Sequence, residues 1–272
     1  MRNSLQPVNR LHPEVIALCA AHVSDINPKP IVPLTHVCRY WRGAIASSPR
    51  IWASIGSGWK RLASLCLERS ATVPLSVKIS LSDIEEDEHI FEVLLPHASR
   101  ISGFSLAESL SIENTTAEFP DFFASPMPSL TSLELEQIYQ PPDTFPMYAS
   151  SAPPLFQNVS NLKSLRFTRT PLYPMIFNIT SLVELKLINY EAPFHFGKLI
   201  KFLHSNPNLE LVNLDLQFIK DSVRDIPEKR APLPHLRSLV FTCSSAKDAR
   251  ALLSWVSLHR GSHVTIQGSR ST

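Results

Sequence analysis

Residues 130–135 read LTSLEL, 162–167 read LKSLRF and 182–187 read LVELKL. The same Leu-x-x-Leu-x-Leu spacing, with other apolar residues at some positions, returns at ISGFSL (101–106), LELVNL (209–214) and LRSLVF (236–241). The six copies start 29, 32, 20, 27 and 27 residues apart. Residues 209–216 also fit one frame later, as Leu211, Leu214 and Leu216, which leaves the register there open. Turn-forming segments such as MPS, NVSN, NITS, NPN and LPH precede the copies. In a strand, residues i and i+2 share a face, so each copy lays apolar side chains on one side and polar ones on the other. One copy cannot bury that side alone, whereas a stack of copies can.

This is the leucine-rich-repeat signal in an irregular form. It predicts an α/β solenoid with a parallel sheet over residues 81–272. Helical returns are expected at FGKLIKFLHSN (196–206), with Phe196, Leu199, Ile200 and Leu203 on one face, and at SAKDARALLSWVSLHRG (245–261). In the second, Ala249, Leu252, Leu253 and Val256 share a face and Gly261 is the stop. VTIQ (264–267) is expected as a last edge strand, and the IEEDE run before FEVLL as an acidic, solvated helix start. The residues between the repeated leucines point outward and are the candidates for binding a target protein: Ser132, Glu134, Ser164, Arg166, Glu184, Lys186 and Ser238. For each of them, plain solvent exposure is the competing reading. The segment QIYQPPDTFPMYASSAPPLFQ (137–157) breaks the repeat with five prolines and interleaved aromatics. It reads either as a passive insertion or as a loop that helps grip a partner through Tyr148.

Size and composition fit a globular chain. The 272 residues are 44% hydrophobic and 18% charged, with 7 Gly and 23 Pro. Scarce glycine argues against phosphate-cradling loops, and abundant proline predicts stiff connections. The net charge of +2 is uneven: residues 1–70 carry nine Lys/Arg against three Asp/Glu, and the remainder seventeen against twenty-one. The scattered basic residues favour a protein partner over nucleic acid. Cys19, Cys38, Cys66 and Cys243 form no C-x-x-C pair and read as small buried hydrophobes in a reducing compartment. MRNSLQPVNR lacks the apolar core of a signal peptide, and no run of eighteen apolar residues occurs, so the expectation is an intracellular chain, cytoplasmic and/or nuclear, with no membrane association. The sequons at Asn114, Asn158 and Asn178 then read as chance matches. No phosphate-loop, dinucleotide, zinc-helix or nucleophile-elbow motif is present, and the histidines are dispersed. The expectation is a protein with no enzymatic activity, no metal and no cofactor.

The N-terminal quarter is helical in pattern. In RLHPEVIALCAAHVS (10–24), Pro13 suits a first helical turn, and Val15, Ile16, Leu18, Cys19 and Val23 form a broad apolar face. In IVPLTHVCRYWRGAIASS (31–48), Leu34, Val37, Cys38, Trp41 and Ile45 fall on one helical stripe, and Arg50-Ile51-Trp52 opens a further short turn.

The set Leu11-x-Pro13-Glu14-Val15, Leu34-x-x-Val37-Cys38-x-x-Trp41 and Ser48-Pro49-x-Ile51-Trp52 closely resembles the F-box of basidiomycete-type F-box proteins. GWKRLASLCLERSATVPLSVKIS (58–80) resembles the linking helix and first strand that follow in that group. Two departures stand out: His12 occupies the place of a common second proline, and the linker between the first two helices is short. The resemblance implies an F-box docking module over 1–57, a linking helix and first strand over 58–80, and the repeat domain beyond. It implies a Skp-type adaptor as partner and, through it, a cullin scaffold. Leu11, Pro13, Glu14, Ile16, Leu34, Val37, Cys38 and Trp41 would touch the adaptor, although Leu34, Val37 and Trp41 also read as core. The implied function is substrate recognition in a Skp-cullin-F-box type ubiquitin ligase. The alternative is a repeat scaffold that never joins a ligase.

Overall fold

The computed structural model describes residues 7–26, 31–56, 62–80, 89–109, 119–137, 159–169, 179–219, 230–243 and 245–268. The chain opens with α1 (Pro13–Ile26), α2 (Ile31–Thr35), α3 (Arg39–Ala46) and a 3-10 turn at Pro49–Trp52. It then alternates strands and short helices. These are β1 (Ser54–Gly56), α4 (Ala63–Arg69), β2 (Leu75–Ser80), α5 (Ile90–Leu94) running into a 3-10 turn at Leu95–Arg100, β3 (Ile101–Ser109), α6 (Pro120–Ala124), β4 (Ser132–Gln137) and β5 (Ser164–Thr168). There follow β6 (Glu184–His195), α7 (Phe196–His204), β7 (Leu211–Ile219), β8 (Ala231–Leu233), β9 (Ser238–Cys243), α8 (Ala246–Trp255), β10 (Val256–Leu258) and β11 (His263–Gly268). Nine strands form one parallel sheet in the order β1-β2-β3-β4-β5-β6-β7-β9-β11, and β8 pairs with β10 separately.

The repeated leucines explain this arrangement. Leu133 sits beside Leu165, Leu185, Val212, Leu239 and Val264 in one row across neighbouring strands. Leu135, Phe167, Leu187, Leu214, Phe241 and Ile266 form the next row. Both rows are buried until the last strand. The first leucine of each copy (Leu130, Leu162, Leu182, Leu209, Leu236) is buried just before its strand. There one carbonyl serves two amides of the next unit: Thr131 O accepts from Lys163 N–H at 2.8 Å and Ser164 N–H at 2.9 Å, and Lys163 O accepts from Val183 and Glu184 N–H. The pattern recurs at Val183 and at Glu210. Parallel sheets are ordinarily covered on both faces and read as continuous apolar runs. Here the polar–apolar alternation leaves one face against the helices and the other uncovered by the described residues.

Pairing resolves the frame at 209–214: Val212 and Leu214 take the buried rows, while Leu211 faces outward and is exposed. Asn206, just after α7, is fully buried and satisfied. Its Nδ2 donates to Ile179 O (2.8 Å) and Phe202 O (3.0 Å), and its Oδ1 accepts from Leu182 N–H (3.1 Å).

Several expectations need correction. The single helix expected over 31–48 is two helices separated by residues 36–38, with Cys38 extended at the start of α3. The Arg42 Nε–H group donates to Thr35 O at 3.0 Å, capping the end of α2, so the apparent stripe spans a break. The sheet begins at β1, before the strand expected in 58–80, because Ile55 pairs beside Val77 and completes the buried row at that edge. The helix expected over 245–261 ends at Trp255. Val256 turns into β10 against β8, and Gly261 lies in the turn before β11. Cys66 and Cys243 are buried as expected, but Cys19 is exposed and Cys38 half-buried. The α7 helix and β11 stand as expected. The 138–158 segment with Tyr148, the IEEDE run and the three sequons lie outside the described residues.

The helical segment and the sheet share a core. A single buried cluster includes Ile16, Ile31, Ile45 and Trp52 together with Val77, Leu133 and Leu239.

Candidate functional site

The first candidate surface comes from an inversion in α1. Its inward positions are mostly small: Ala20 is buried with Ile16, and Ala17 and Ala21 pack partly against the core. Its large residues point away. Val15 is 41% exposed and Leu18 69%, with Leu11, Val23, Val37 and Tyr40 also exposed nearby in sequence. Among the described residues, six of the eight exposed large hydrophobics therefore fall between positions 11 and 40. A helix that only covered its own core would place leucine inward and alanine outward. The Tyr40 hydroxyl donates to Leu11 O at 2.7 Å, which ties the start of α3 to the chain leading into α1. The His12 ring is paired with the Glu14 carboxylate at the exposed start of α1.

The residues expected to touch an adaptor separate on this surface. Leu11, Glu14 and Val37 are exposed, while Pro13, Leu34, Cys38 and Trp41 are half-buried, with Leu34 and Trp41 packed against the core. Ile16 is corrected: at 1% exposure it supports the face from beneath and offers no contact. Val15 and Leu18 were not singled out as contacts, although the all-round apolar character of α1 was the available signal. Periodicity reports a face, not which side of a doubly apolar helix turns inward.

The second candidate surface is the open face of the sheet. Pairing aligns Ser132, Ser164 and Glu184 in one row and Glu134, Arg166 and Lys186 in the adjacent one. Ser238 continues the first row through Leu211. These side chains interact with one another. Arg166 Nε forms an ion pair with Glu134 Oε1 at 3.2 Å, Lys186 pairs with Glu184, and Ser164 Oγ–H donates to Glu184 Oε2 at 2.8 Å. Farther along, Arg169 lies 3.5 Å from the Glu136 carboxylate. The face is thus a neutralised charge mosaic over β4–β6, flanked by small residues such as Ser76, Gly103 and Ser105.

The Glu184 carboxyl is held below the usual carboxylate range, first by its hydrogen bond with the Lys186 ammonium and then by Ser164, against a smaller opposing effect of burial. A depressed carboxylate stabilises the fold above its unfolded value, and that contribution is lost as pH falls through the folded value. Acid unfolding below the ordinary value of 4.5 should therefore be shallower in Glu184→Gln than in the natural chain. The difference should be under about 1 kcal/mol, as for other partly exposed pairs. Parallel denaturation midpoints at pH 3 to 7 test this, and identical slopes would refute it.

Thiol chemistry separates the cysteines. Burial pushes the Cys66 thiol up to about 12, partly offset by Arg69, so it stays protonated and unreactive at neutral pH. Brief alkylation of the native chain should label exposed Cys19 and spare Cys66, which reacts only after denaturation. Native-state labelling of Cys66 found by peptide mass mapping would contradict this.

A shallow cleft of about 420 Å³ lies at the starts of the last strands, lined by Glu210, Pro234, His235, Leu236, Arg237, His259 and Gly261. Arg237 is already paired with Glu210 at 3.3 Å there. Among the described residues, no group of three or more His, Cys, Asp or Glu is placed to hold a metal ion, and no helix is long and apolar enough to cross a membrane. No protein-family model matches the chain, and no curated protein matches its sequence.

Proposed function

We propose that this chain is the substrate-recognition subunit of a Skp-cullin-F-box type ubiquitin ligase. In this reading α1 to α3 dock on a Skp-type adaptor, and the adaptor links the chain to a cullin scaffold. The strands are leucine-rich repeats whose open face holds the target protein. The chain supplies positioning inside the cell, in cytoplasm and/or nucleus, and leaves chemistry to other subunits. The observation that carries the reading is the inversion of α1, with alanines inward and Val15 and Leu18 outward. An apolar face left in water by a small helical module is stabilised by covering it with a partner. The F-box resemblance of residues 10–52 names the kind of partner. The surplus of basic residues in the first 70 positions favours a partner with an acidic surface and mainly speeds encounter.

The test is co-purification with a Skp-type adaptor. The intact chain should recover the adaptor in equimolar amount. The Val15→Glu/Leu18→Glu variant, altered only at exposed positions, should keep its melting temperature and lose recovery to background. A folded intact chain that recovers no adaptor rejects the ligase reading and leaves a repeat scaffold as the better account.

A further inference from the structure

The two ends of the nine-stranded sheet differ. At one end β1 is three residues long, Ile55 and Gly56 are buried, and the Pro49–Trp52 turn and α4 pack beside it. At the other end β11 is six residues long and, among the described residues, pairs only with β9. Its outer side has no strand partner among the described residues, so there its backbone N–H and C=O groups face no second strand. Strands at sheet edges are usually shielded by Lys, Pro, bulges or brevity. The sequence His263-Val264-Thr265-Ile266-Gln267-Gly268 has no Lys, Arg, Asp, Glu or Pro. Moreover, Val264 and Ile266 continue the two buried rows next to Leu239 and Phe241, yet Val264 is half-buried and Ile266 is 47% exposed. Among the described residues the core rows therefore end without a polar cap.

We infer that β11 joins two copies of this chain edge to edge, antiparallel about a twofold axis. The pairing register follows from symmetry. An axis perpendicular to the sheet keeps each face on its own side, so opposed residues must come from the same face. Centring on Thr265 sets Thr265 against the second copy's Thr265, Val264 against its Ile266, and His263 against its Gln267. Both apolar rows then run on into the second copy, the outward residues meet as a threonine pair, and no strand residue opposes a like formal charge. A twofold interface of this kind uses the β11 edge of both copies at once and leaves neither free for a third. The assembly closes at two copies instead of growing into a filament.

Sedimentation of the full chain at micromolar concentration should give twice 30.5 kDa. Ile266→Lys, at an exposed position, should give a folded monomer whose melting temperature, unlike that of the natural chain, does not vary with protein concentration. In a Cys19→Ser background, Thr265→Cys should form an intermolecular disulfide on mild oxidation, since directly opposed Cα atoms lie about 4.5–5.5 Å apart, within disulfide reach. Ile266→Cys should not, because it faces Val264. A monomeric intact chain overturns the inference. So does a dimer that persists in Ile266→Lys, or one lost instead in Val15→Glu/Leu18→Glu.

Discussion

Trp52→Ala should lower the unfolding free energy by about 4–6 kcal/mol, enough to remove much of the stability of an ordinary domain. Trp52 is 2% exposed and lies where the helical segment meets the sheet, two residues before β1. Three interactions go with it. Truncating a buried indole leaves a cavity, and large-to-small core changes of this kind cost about 3–5 kcal/mol. The Trp52 Nε1–H group donates to Ile45 O at 2.9 Å, and losing that buried partner adds about 1 kcal/mol. The guanidinium carbon of Arg69, on α4, stacks 4.5 Å from the indole centroid. Trp52→Phe keeps most of the volume and should lose only about 1–2 kcal/mol, mainly the hydrogen bond and part of the stacking. Because Ile16, Trp52 and the strand leucines share one buried cluster, urea titration should show a single transition displaced as a whole. A loss below about 2 kcal/mol, or a two-step curve in which only the first step moves, would refute this account of the junction.

The sheet was legible because the repeated spacing combines two signals that reinforce each other. The Leu133–Leu135 type pair marks a strand with one buried face, and the preceding leucine at Leu130 marks its start. Six copies in order made strand type and sequence order readable. What escaped was set by tertiary contact. β1 is three residues, too short for any period, and it is a strand because Leu75–Ser80 lies beside it. Val256 fits a helical face at 249, 252, 253 and 256, but pairing with Ala231 draws it into a strand. The break at residues 36–38 hid inside a stripe whose spacing survived the interruption. At the docking surface, composition showed an apolar surplus, while only packing distinguished Ile16 inside from Leu18 outside. The outward charges of the sheet were correctly ordered in sequence, yet their mutual pairing depends on cross-strand register, which no single strand carries.

The role of Asn206 was not read from the sequence at all, and its replacement should be the second most damaging single change. The NPN segment marks a turn, but its first residue is also a buried bracket with no exposed surface. Its amide reaches three backbone groups: the carbonyls of Ile179 and Phe202 and the N–H of Leu182. Two of these lie before β6 and the third in α7, so one side chain fixes where consecutive units meet. In Asn206→Ala all three hydrogen bonds are lost at a fully buried position. At about 1–3 kcal/mol for each buried unsatisfied group, and with some relaxation, the loss should be about 3–5 kcal/mol. Asn206→Leu should be no better, since volume without hydrogen bonds removes the same three interactions. Asn206→Asp is the sharper variant, because a carboxylate can accept from Leu182 N–H but opposes both carbonyls. Burial and those carbonyls should raise its folded-state pKa above the unfolded value of about 3.9. The Asp variant then binds more protons folded than unfolded, so its destabilisation should grow as pH rises from 4 to 7, where Asn206→Ala stays flat. Denaturation midpoints of the two variants at those pH values decide the matter: equal losses for Asp and Ala at both ends, or an alanine loss below about 1 kcal/mol, would show that the bracket contributes little.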